Sequence, residues 1–230
     1  MPSLVLIPGL LCDRRLWHDQ IEALGANYEV LVADITQDST LSEMTASVLT
    51  QAPERFSLAG FSLGSQVALE IMRVAKHRVE RLALLSTTHG GLLPEVELAT
   101  RRAVAMIEEE GLDQYLEAAF PTYVAPARAN DKSLKSIFVE MGRAVGKDAG
   151  LRQMQALLAI KTPFENLNQV QCPTVIVGGS EDRRTTPAAH QLLHQEIPGS
   201  ELQMIDDAGH FTPIEQPQRV IDVLQHWLAL

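Results

Sequence analysis

A serine stands at the centre of a G-x-S-x-G run, Gly60–Gly64, and its surroundings make it a candidate nucleophile. Residues 56–59 before the run are apolar, as in a short buried strand, and apolar residues recur at helical spacing from Val67 to Ala75. A sharp turn from strand to helix exposes the central hydroxyl, and its flanking glycines let neighbouring backbone approach closely. This context predicts Ser62 to be an attacking nucleophile rather than an ordinary turn serine.

Activation of this hydroxyl requires a general base, which works best when a carboxylate fixes its tautomer. Asp182 follows the apolar run 174–177 after a glycine-led turn, and His210 follows the run 202–205. A parallel sheet typically places reacting groups at the carboxyl ends of its strands. The chain order Ser62, Asp182, His210 is the order expected after a nucleophile turn of this kind.

Other side chains compete for the acid and base roles. Glu181, Asp206 and Asp207 are alternative carboxylates, and His89, which follows the run 82–85, is an alternative base. The remaining histidines fall within or beside helical patterns, where surface or core roles dominate: His18, His77, His190, His194 and His226.

A developing oxyanion also needs hydrogen-bond donors. The backbone N–H of Leu63, directly after the nucleophile, is one candidate. The loop after the first apolar run, residues 8–11, is expected to supply the second through the N–H of Leu10. The alternative for this loop is a simple turn that ends the strand.

His190 and His194 are one helical turn apart, a spacing that zinc ligands can use. The glutamate of the H-E-x-x-H pattern is replaced by Gln191, and no third ligand is evident in the sequence. We therefore predict an exposed helix face here and no metal site, and we find no sign of a cofactor.

The elements that must position these residues alternate between strand and helix. Continuous rather than alternating apolar character marks strands that are covered on both faces. Six such runs occur: 4–7, 28–33, 56–59, 82–85, 174–177 and 202–205. Helical patterns fill the gaps, one of them opened by a capping box at Thr40 and Glu43. This order predicts an α/β fold with a parallel sheet and right-handed crossovers.

The segment 92–167 interrupts the alternation, because it shows helical patterns and no convincing strand. We predict a core domain formed by residues 1–91 and 168–230, with 92–167 inserted as a helical cap over one end of the sheet. Several large side chains of the cap are candidates either for the substrate pocket or for the cap's own core: Tyr115, Phe120, Tyr123, Phe138 and Met141. His89 is a further candidate for the same cleft. Four arginines could bind a substrate carboxylate or simply be solvated: Arg101, Arg128, Arg143 and Arg152.

The bulk composition restricts the partners. The 230 residues carry a formal net charge of −10, which argues against nucleic acid or an anionic membrane as a partner and leaves a small-molecule substrate. No stretch approaches the ~20 apolar residues of a membrane helix. The apolar opening, residues 3–12, lacks a basic leader and contains Pro8 and Gly9, so it is better explained as a core strand than as a signal sequence. Cys12 and Cys172 are expected to be reduced thiols in a cytoplasmic protein.

Together these residues resemble the α/β-hydrolase superfamily over nearly the whole chain. Three motifs join the Gly60–Gly64 turn in this resemblance: the run 172–178, the turn from Gly179 to Asp182, and Gly209-His210 followed by Glu215-Gln216-Pro217. The resemblance implies a Ser62–His210–Asp182 triad, oxyanion donors at Leu10 and Leu63, and a cap. Pro8-Gly9 stands where the family often has His-Gly. The chain also has no room for the family's first two antiparallel strands, so we expect about six strands, all parallel.

The type of nucleophile narrows the chemistry that the resemblance implies. Dehalogenases and epoxide hydrolases of this superfamily use Asp at the turn, whereas this chain has Ser62. We therefore expect hydrolysis of a carboxylic ester, thioester or lactone through an acyl-enzyme. Two alternatives remain: a hydrolase-like ligand receptor with slow or no turnover, and a C–C bond hydrolase or lyase on the same fold.

Overall fold

The fold is described from a computed structural model that covers residues 1–92, 94–161 and 163–230. It contains one six-stranded sheet in the order β2-β1-β3-β4-β5-β6, and every neighbouring pair of strands is parallel. The strands are β1 (Ser3–Ile7), β2 (Glu29–Val32), β3 (Phe56–Phe61), β4 (Val79–Leu85), β5 (Thr174–Gly179) and β6 (Glu201–Ile205). The predicted six-stranded parallel sheet is confirmed.

Helices follow the strands as the sequence pattern indicated. They are α1 (His18–Leu24), α2 (Leu41–Gln51), α3 (Leu63–Ala75), α4 (Pro94–Glu109), α5 (Leu112–Tyr123), α6 (Lys132–Val145), α7 (Lys147–Ala159), α8 (Pro187–Glu196), α9 (Thr212–Glu215) and α10 (Pro217–Ala229). The capping box is present at the start of α2, because Thr40 Oγ1 accepts from the Glu43 N–H while the Glu43 carboxylate accepts from the Thr40 N–H. Within the described ranges, no helix is long and apolar enough to cross a membrane.

The hydrophobic core lies on both faces of the sheet. Successive residues of β1 alternate between the two sides: Leu4 and Leu6 pack with α1, α10 and the inserted helices, whereas Val5 and Ile7 pack with α2 and α3. All six residues of β3 are buried. Burial on both faces explains why the strand sequences are continuously apolar.

Four helices, α4–α7, occupy the chain between β4 and β5, and we call them the inserted helices. Their buried side chains, such as Leu116 and Met154, belong to the same hydrophobic cluster as Leu6, Trp17 and Phe61. The inserted helices therefore share a core with one face of the sheet. The boundaries that the sequence predicts for a separate cap stay a prediction, and Leu93 and Thr162 lie outside the described residues.

Candidate active site

Ser62 occupies the turn between β3 and α3 with φ +53° and ψ −111°. A positive φ is uncommon for a residue with a side chain and indicates a strained turn. Two glycines permit the turn, because a Cβ at Gly60 would overlap the carbonyl of Gly64, and a Cβ at Gly64 would overlap the carbonyl of Ile7. The Ser62 N–H donates to the Leu85 carbonyl at 2.8 Å, which leaves the half-buried hydroxyl facing a cavity.

His210 connects Ser62 to Asp182. Its Nε2 lies 3.0 Å from Ser62 Oγ, and its Nδ1 lies 2.8 Å from Asp182 Oδ2. Asp182 is in the loop after β5 and His210 in the loop after β6, so the adjacent strand ends bring them together. Three residues that are far apart in sequence thus form one continuous hydrogen-bonded line.

The Asp182 carboxylate is almost fully buried, and its hydrogen bonds fix its orientation. Oδ1 accepts from the backbone N–H groups of Arg184 and Thr185 at 2.8 and 2.9 Å, and Oδ2 accepts from Thr185 Oγ1 at 2.6 Å. Burial alone would raise the pKa of this carboxyl. The charge and hydrogen bond of His210, together with the bonds from Thr185, outweigh burial and hold the pKa of Asp182 well below its usual range.

The alternative acids and base lie elsewhere. Asp206 is exposed and lies 3.5 Å from Arg219, and Asp207 adopts a positive φ in the turn before His210. His89 does not line the cavity at Ser62 within the described chain, and its carbonyl accepts from the Phe164 N–H at 2.8 Å. Glu181 donates its backbone N–H to the Ala208 carbonyl at 2.9 Å, and the carboxylate that meets His210 is that of Asp182. Among the candidates in the described chain, the hydrogen-bonded line therefore joins Ser62, His210 and Asp182.

The loop that carries His210 is attached to the end of α5. The N–H groups of His210 and Phe211 both donate to the Tyr123 carbonyl, at 2.8 and 3.1 Å. The Glu215 carboxylate accepts from the Gly209 N–H at 2.9 Å and from the Ala125 N–H at 2.7 Å. It is only 2% exposed. Burial raises the pKa of Glu215, although these two backbone hydrogen bonds oppose that shift.

The two candidate oxyanion donors line the same cavity as Ser62 and His210. Leu63 is the first residue of α3, where backbone N–H groups have no partner within the helix. The Leu10 N–H makes no hydrogen bond within the described part of the chain. The next residue, Leu11, has φ +55°, and its N–H donates to the buried Gln153 of α7 at 2.9 Å. An inserted helix thus holds the loop that carries Leu10.

The cavity at Ser62 adjoins a second, larger cavity. The inner one, about 60 Å³, contains Ser62 and His210 in its wall, and the outer one is larger, about 470 Å³. Four residues contribute to both walls: Leu10, Val96, Thr100 and Arg184. No sequence motif marks the last three of these residues.

Some of the predicted pocket residues line a cavity, and the others are packed in the hydrophobic core. Tyr123 lines the inner cavity and Tyr115 the outer one, whereas Phe120, Phe138 and Met141 line neither. These three belong to the hydrophobic core instead, where the Phe120 and Phe138 rings pack 5.8 Å apart. Their apolar faces are turned into the interface between the inserted helices and the sheet.

The four arginines proposed from sequence do not line either cavity within the described ranges. Arg101 pairs with Glu97 at 2.7 Å, and Arg143 pairs with Asp113 at 2.8 Å. Arg152 donates to the Thr36 carbonyl at 2.7 Å. Arg128 lies at the short turn after α5.

The histidine pair of α8 makes separate contacts. The predicted exposed helix face is wrong for His190, which is fully buried and whose Nδ1 lies 3.0 Å from the Thr186 carbonyl oxygen. Burial lowers the pKa of this histidine. His194 Nδ1 lies 2.9 Å from Ser200 Oγ. A different group, His18, Asp19 and Glu22 on α1, has ligand atoms close enough for one ion, but exposed acidic groups of this kind are common without a metal.

Comparison with known proteins agrees with this fold. Residues 4–223 match the model of the Alpha/beta hydrolase family. The chain therefore belongs to the alpha/beta hydrolase family. It is an enzyme of the hydrolase class, as the names of its relatives indicate.

A relative in Nitrosomonas europaea, a pimeloyl-[acyl-carrier protein] methyl ester esterase, is 23% identical over 96% of this chain and 93% of its own length. A thermophilic esterase from Thermogutta terrifontis, solved with malate bound, has a TM-score of 0.88 at 22% identity, covering 100% of this chain and 90% of that one. The enol-lactonase from Burkholderia xenovorans has the same TM-score and identity, covering 100% and 92%. The two structures support the fold.

Proposed function

We propose that the protein is a serine hydrolase that cleaves a carboxylic ester of a small to medium molecule through an acyl-enzyme. The observation that carries this proposal is the hydrogen-bonded line from Ser62 through His210 to Asp182, with distances of 3.0 and 2.8 Å. The hydroxyl at one end of the line faces a cavity that Leu10 and Leu63, the candidate oxyanion donors, also line. Nucleophile, base, orienting acid and oxyanion donors therefore surround one place where a carbonyl can bind.

In the first half of the reaction, His210 Nε2 takes the proton of Ser62 Oγ as the oxygen attacks the ester carbonyl. The N–H groups of Leu10 and Leu63 stabilise the negative charge on the carbonyl oxygen, and each such donor typically contributes ~2.7–4 kcal/mol. The bond to the leaving alcohol then breaks, and the protonated His210 gives its proton to that oxygen. The acyl group stays on Ser62.

In the second half, His210 takes a proton from water as the water oxygen attacks the acyl-enzyme. The bond to Ser62 Oγ breaks, the serine regains its proton from His210, and the acid product leaves. Asp182 keeps one tautomer of His210 throughout and stabilises the imidazolium that forms twice. Its depressed pKa keeps the carboxylate ionised for this purpose.

The relatives support ester chemistry over the alternatives. Their names describe hydrolysis of a methyl ester and of an enol lactone, and both substrates contain a carboxylic ester bond. A ligand receptor would need an exposed apolar surface to recruit a partner. Within the described inserted helices, Leu98 is the only large apolar side chain that is exposed, which favours the enzyme. We further propose that residues 92–167 act as the cap that encloses the substrate.

A panel of p-nitrophenyl esters of increasing acyl length tests this function. The wild-type protein should turn over at least one ester at about 10 s⁻¹, a typical enzymatic rate. Ser62→Ala should abolish turnover, whereas Ser42→Ala, which removes an exposed hydroxyl of α2, should not change it. Saturated rates below ~1 s⁻¹ for every ester would favour the receptor. Product analysis that shows cleavage of a carbon–carbon bond would favour the lyase.

A further inference from the structure

The side chain of Arg184 places a positive charge in the wall of the active-site cavity. Its backbone N–H donates to Asp182 Oδ1, so the residue is fixed in the same turn as the acid. Its guanidinium lies 4.0 Å from the centre of the Tyr123 ring, and that ring meets His210 edge-on with a centroid distance of 5.6 Å. Arg184 is therefore one aromatic ring away from the proposed base.

The charge of Arg184 is not neutralised by an ion pair. Within the described ranges, no carboxylate lies within 4.0 Å of its guanidinium nitrogens, and both Asp182 oxygens are occupied by other donors. The half-buried guanidinium of Arg184 presents a planar fork of donors, which suits a carboxylate or a phosphate. Because Arg184 lines the cavity at Ser62, an anion bound in that cavity can reach its guanidinium.

The outer cavity extends this positive character. Arg102 and Arg183 line it together with Arg184, and the one carboxylate in the described wall is the exposed Glu95. Arg183 donates to the Pro121 carbonyl at 2.6 Å. This excess of positive charge occurs in a protein whose formal net charge is −10, so it is a local feature and not a property of the whole surface.

The cavity dimensions indicate which part of a substrate would meet Arg184. The inner cavity of about 60 Å³ at Ser62 has room for the scissile ester and a small group, and the longer part of the substrate must extend into the outer cavity. Arg184 belongs to both walls, so a chain that runs from one cavity to the other passes it. A carboxylate or phosphate on that chain would come close to the guanidinium of Arg184.

We propose that Arg184 binds an anionic group of the substrate, a carboxylate or a phosphate, remote from the scissile bond. The substrate class is then a monoester with a negatively charged arm. This proposal rests on the proposed function, since the scissile ester must lie at Ser62.

The test compares monomethyl esters of linear dicarboxylic acids with methyl esters of monocarboxylic acids of the same chain length. An arm that ends in phosphate separates a phosphate site from a carboxylate site. The wild-type protein should favour one class of anionic ester in kcat/KM. Arg184→Met should lower kcat/KM for that class by about 10- to 100-fold more than for the neutral esters of the same length, because a charged hydrogen bond is lost. Arg184→Lys should restore part of the preference.

The control is Arg219→Met, which removes the same charge from an exposed residue of α10 and should leave the preference intact. Equal losses on anionic and neutral esters in Arg184→Met would mean that Arg184 only supports Tyr123 and His210, and would overturn the proposal. The absence of any anionic preference in the wild-type protein would overturn it as well.

A binding measurement separates this proposal from the proposed function. Calorimetry with Ser62→Ala and the monomethyl esters should show binding that Arg184→Met weakens by about 10-fold or more. Binding that depends on Arg184 without hydrolysis of any ester by the wild-type protein would refute the ester hydrolase and leave the anion site standing. Hydrolysis of neutral esters, with anionic binding that is unaffected by Arg184→Met, would do the opposite.

Discussion

The strongest prediction concerns Glu215, which supports the site without touching the substrate. Its two carboxylate oxygens accept from Gly209 and Ala125, at 2.9 and 2.7 Å, and so join the loop of the proposed base to the chain after α5. Glu215→Gln preserves the shape of the side chain but turns one acceptor into a donor. The amide can satisfy only one of the two backbone N–H groups and points its own N–H at the other.

One buried backbone donor is left without an acceptor, which costs about 1–3 kcal/mol. Glu215→Ala leaves both donors unpaired and adds a cavity, so its cost should be about twice as large or more. His210 itself keeps its backbone bond to Tyr123 in both variants. We therefore expect both variants to fold, with the imidazole of His210 less precisely positioned. For Glu215→Gln, kcat should fall by about 10- to 100-fold.

Urea denaturation gives the free energy of unfolding, and hydrolysis of a p-nitrophenyl ester at a temperature where each variant is folded gives kcat and KM. Glu196→Gln, the same change at an exposed position of α8, is the control. A Glu215→Gln protein within ~0.5 kcal/mol of wild type would refute the hydrogen-bond argument. A lower stability with unchanged kcat would show that the carboxylate holds the fold but does not position His210.

The pKa of Asp182 is lower in the folded protein than in the unfolded chain. The ionised carboxylate therefore stabilises the fold above the unfolded-state pKa of about 3.9. This stabilisation is lost as pH falls through the lower folded-state pKa. Asp182→Asn should therefore make the free energy of unfolding decline less steeply below about pH 5. It should also lower kcat by up to ~10⁴. An unchanged dependence of stability on pH in this range would contradict the interaction of Asp182 with His210. Gly64→Ala should destabilise the protein despite the better helix propensity of alanine, because its Cβ would meet backbone carbonyls of Ile7 and Pro8. A rise in melting temperature would refute that close approach.

The sheet was predictable because its strands have apolar sequences, most clearly the four central strands, which are largely buried. The positions of Asp182 and His210 were predictable because both follow such strands through glycine-containing turns. Strand ends were less accurate: β4 begins at Val79, three residues before the predicted run, where Glu80 and Arg81 interrupt the apolar pattern.

The residues that support the site could not be found in the same way. Glu215 and Ala125 are 90 positions apart in the sequence, and no local pattern links them. Arg184 differs from the other arginines only in its surroundings, which depend on how Tyr123 is placed by α5. Phe120 and Phe138 were candidates for the pocket because they are large side chains of the cap, but size does not say whether a side chain lines a pocket or packs in a core.

Phosphonylation by a fluorophosphonate, located by mass spectrometry of the digested protein, tests the central claim most directly. Ser62 should carry the adduct, and labelling should be nearly abolished in His210→Ala, since the line from Asp182 through His210 makes the hydroxyl reactive. An adduct on another residue, or equal labelling of Ser62 without His210, would contradict the account.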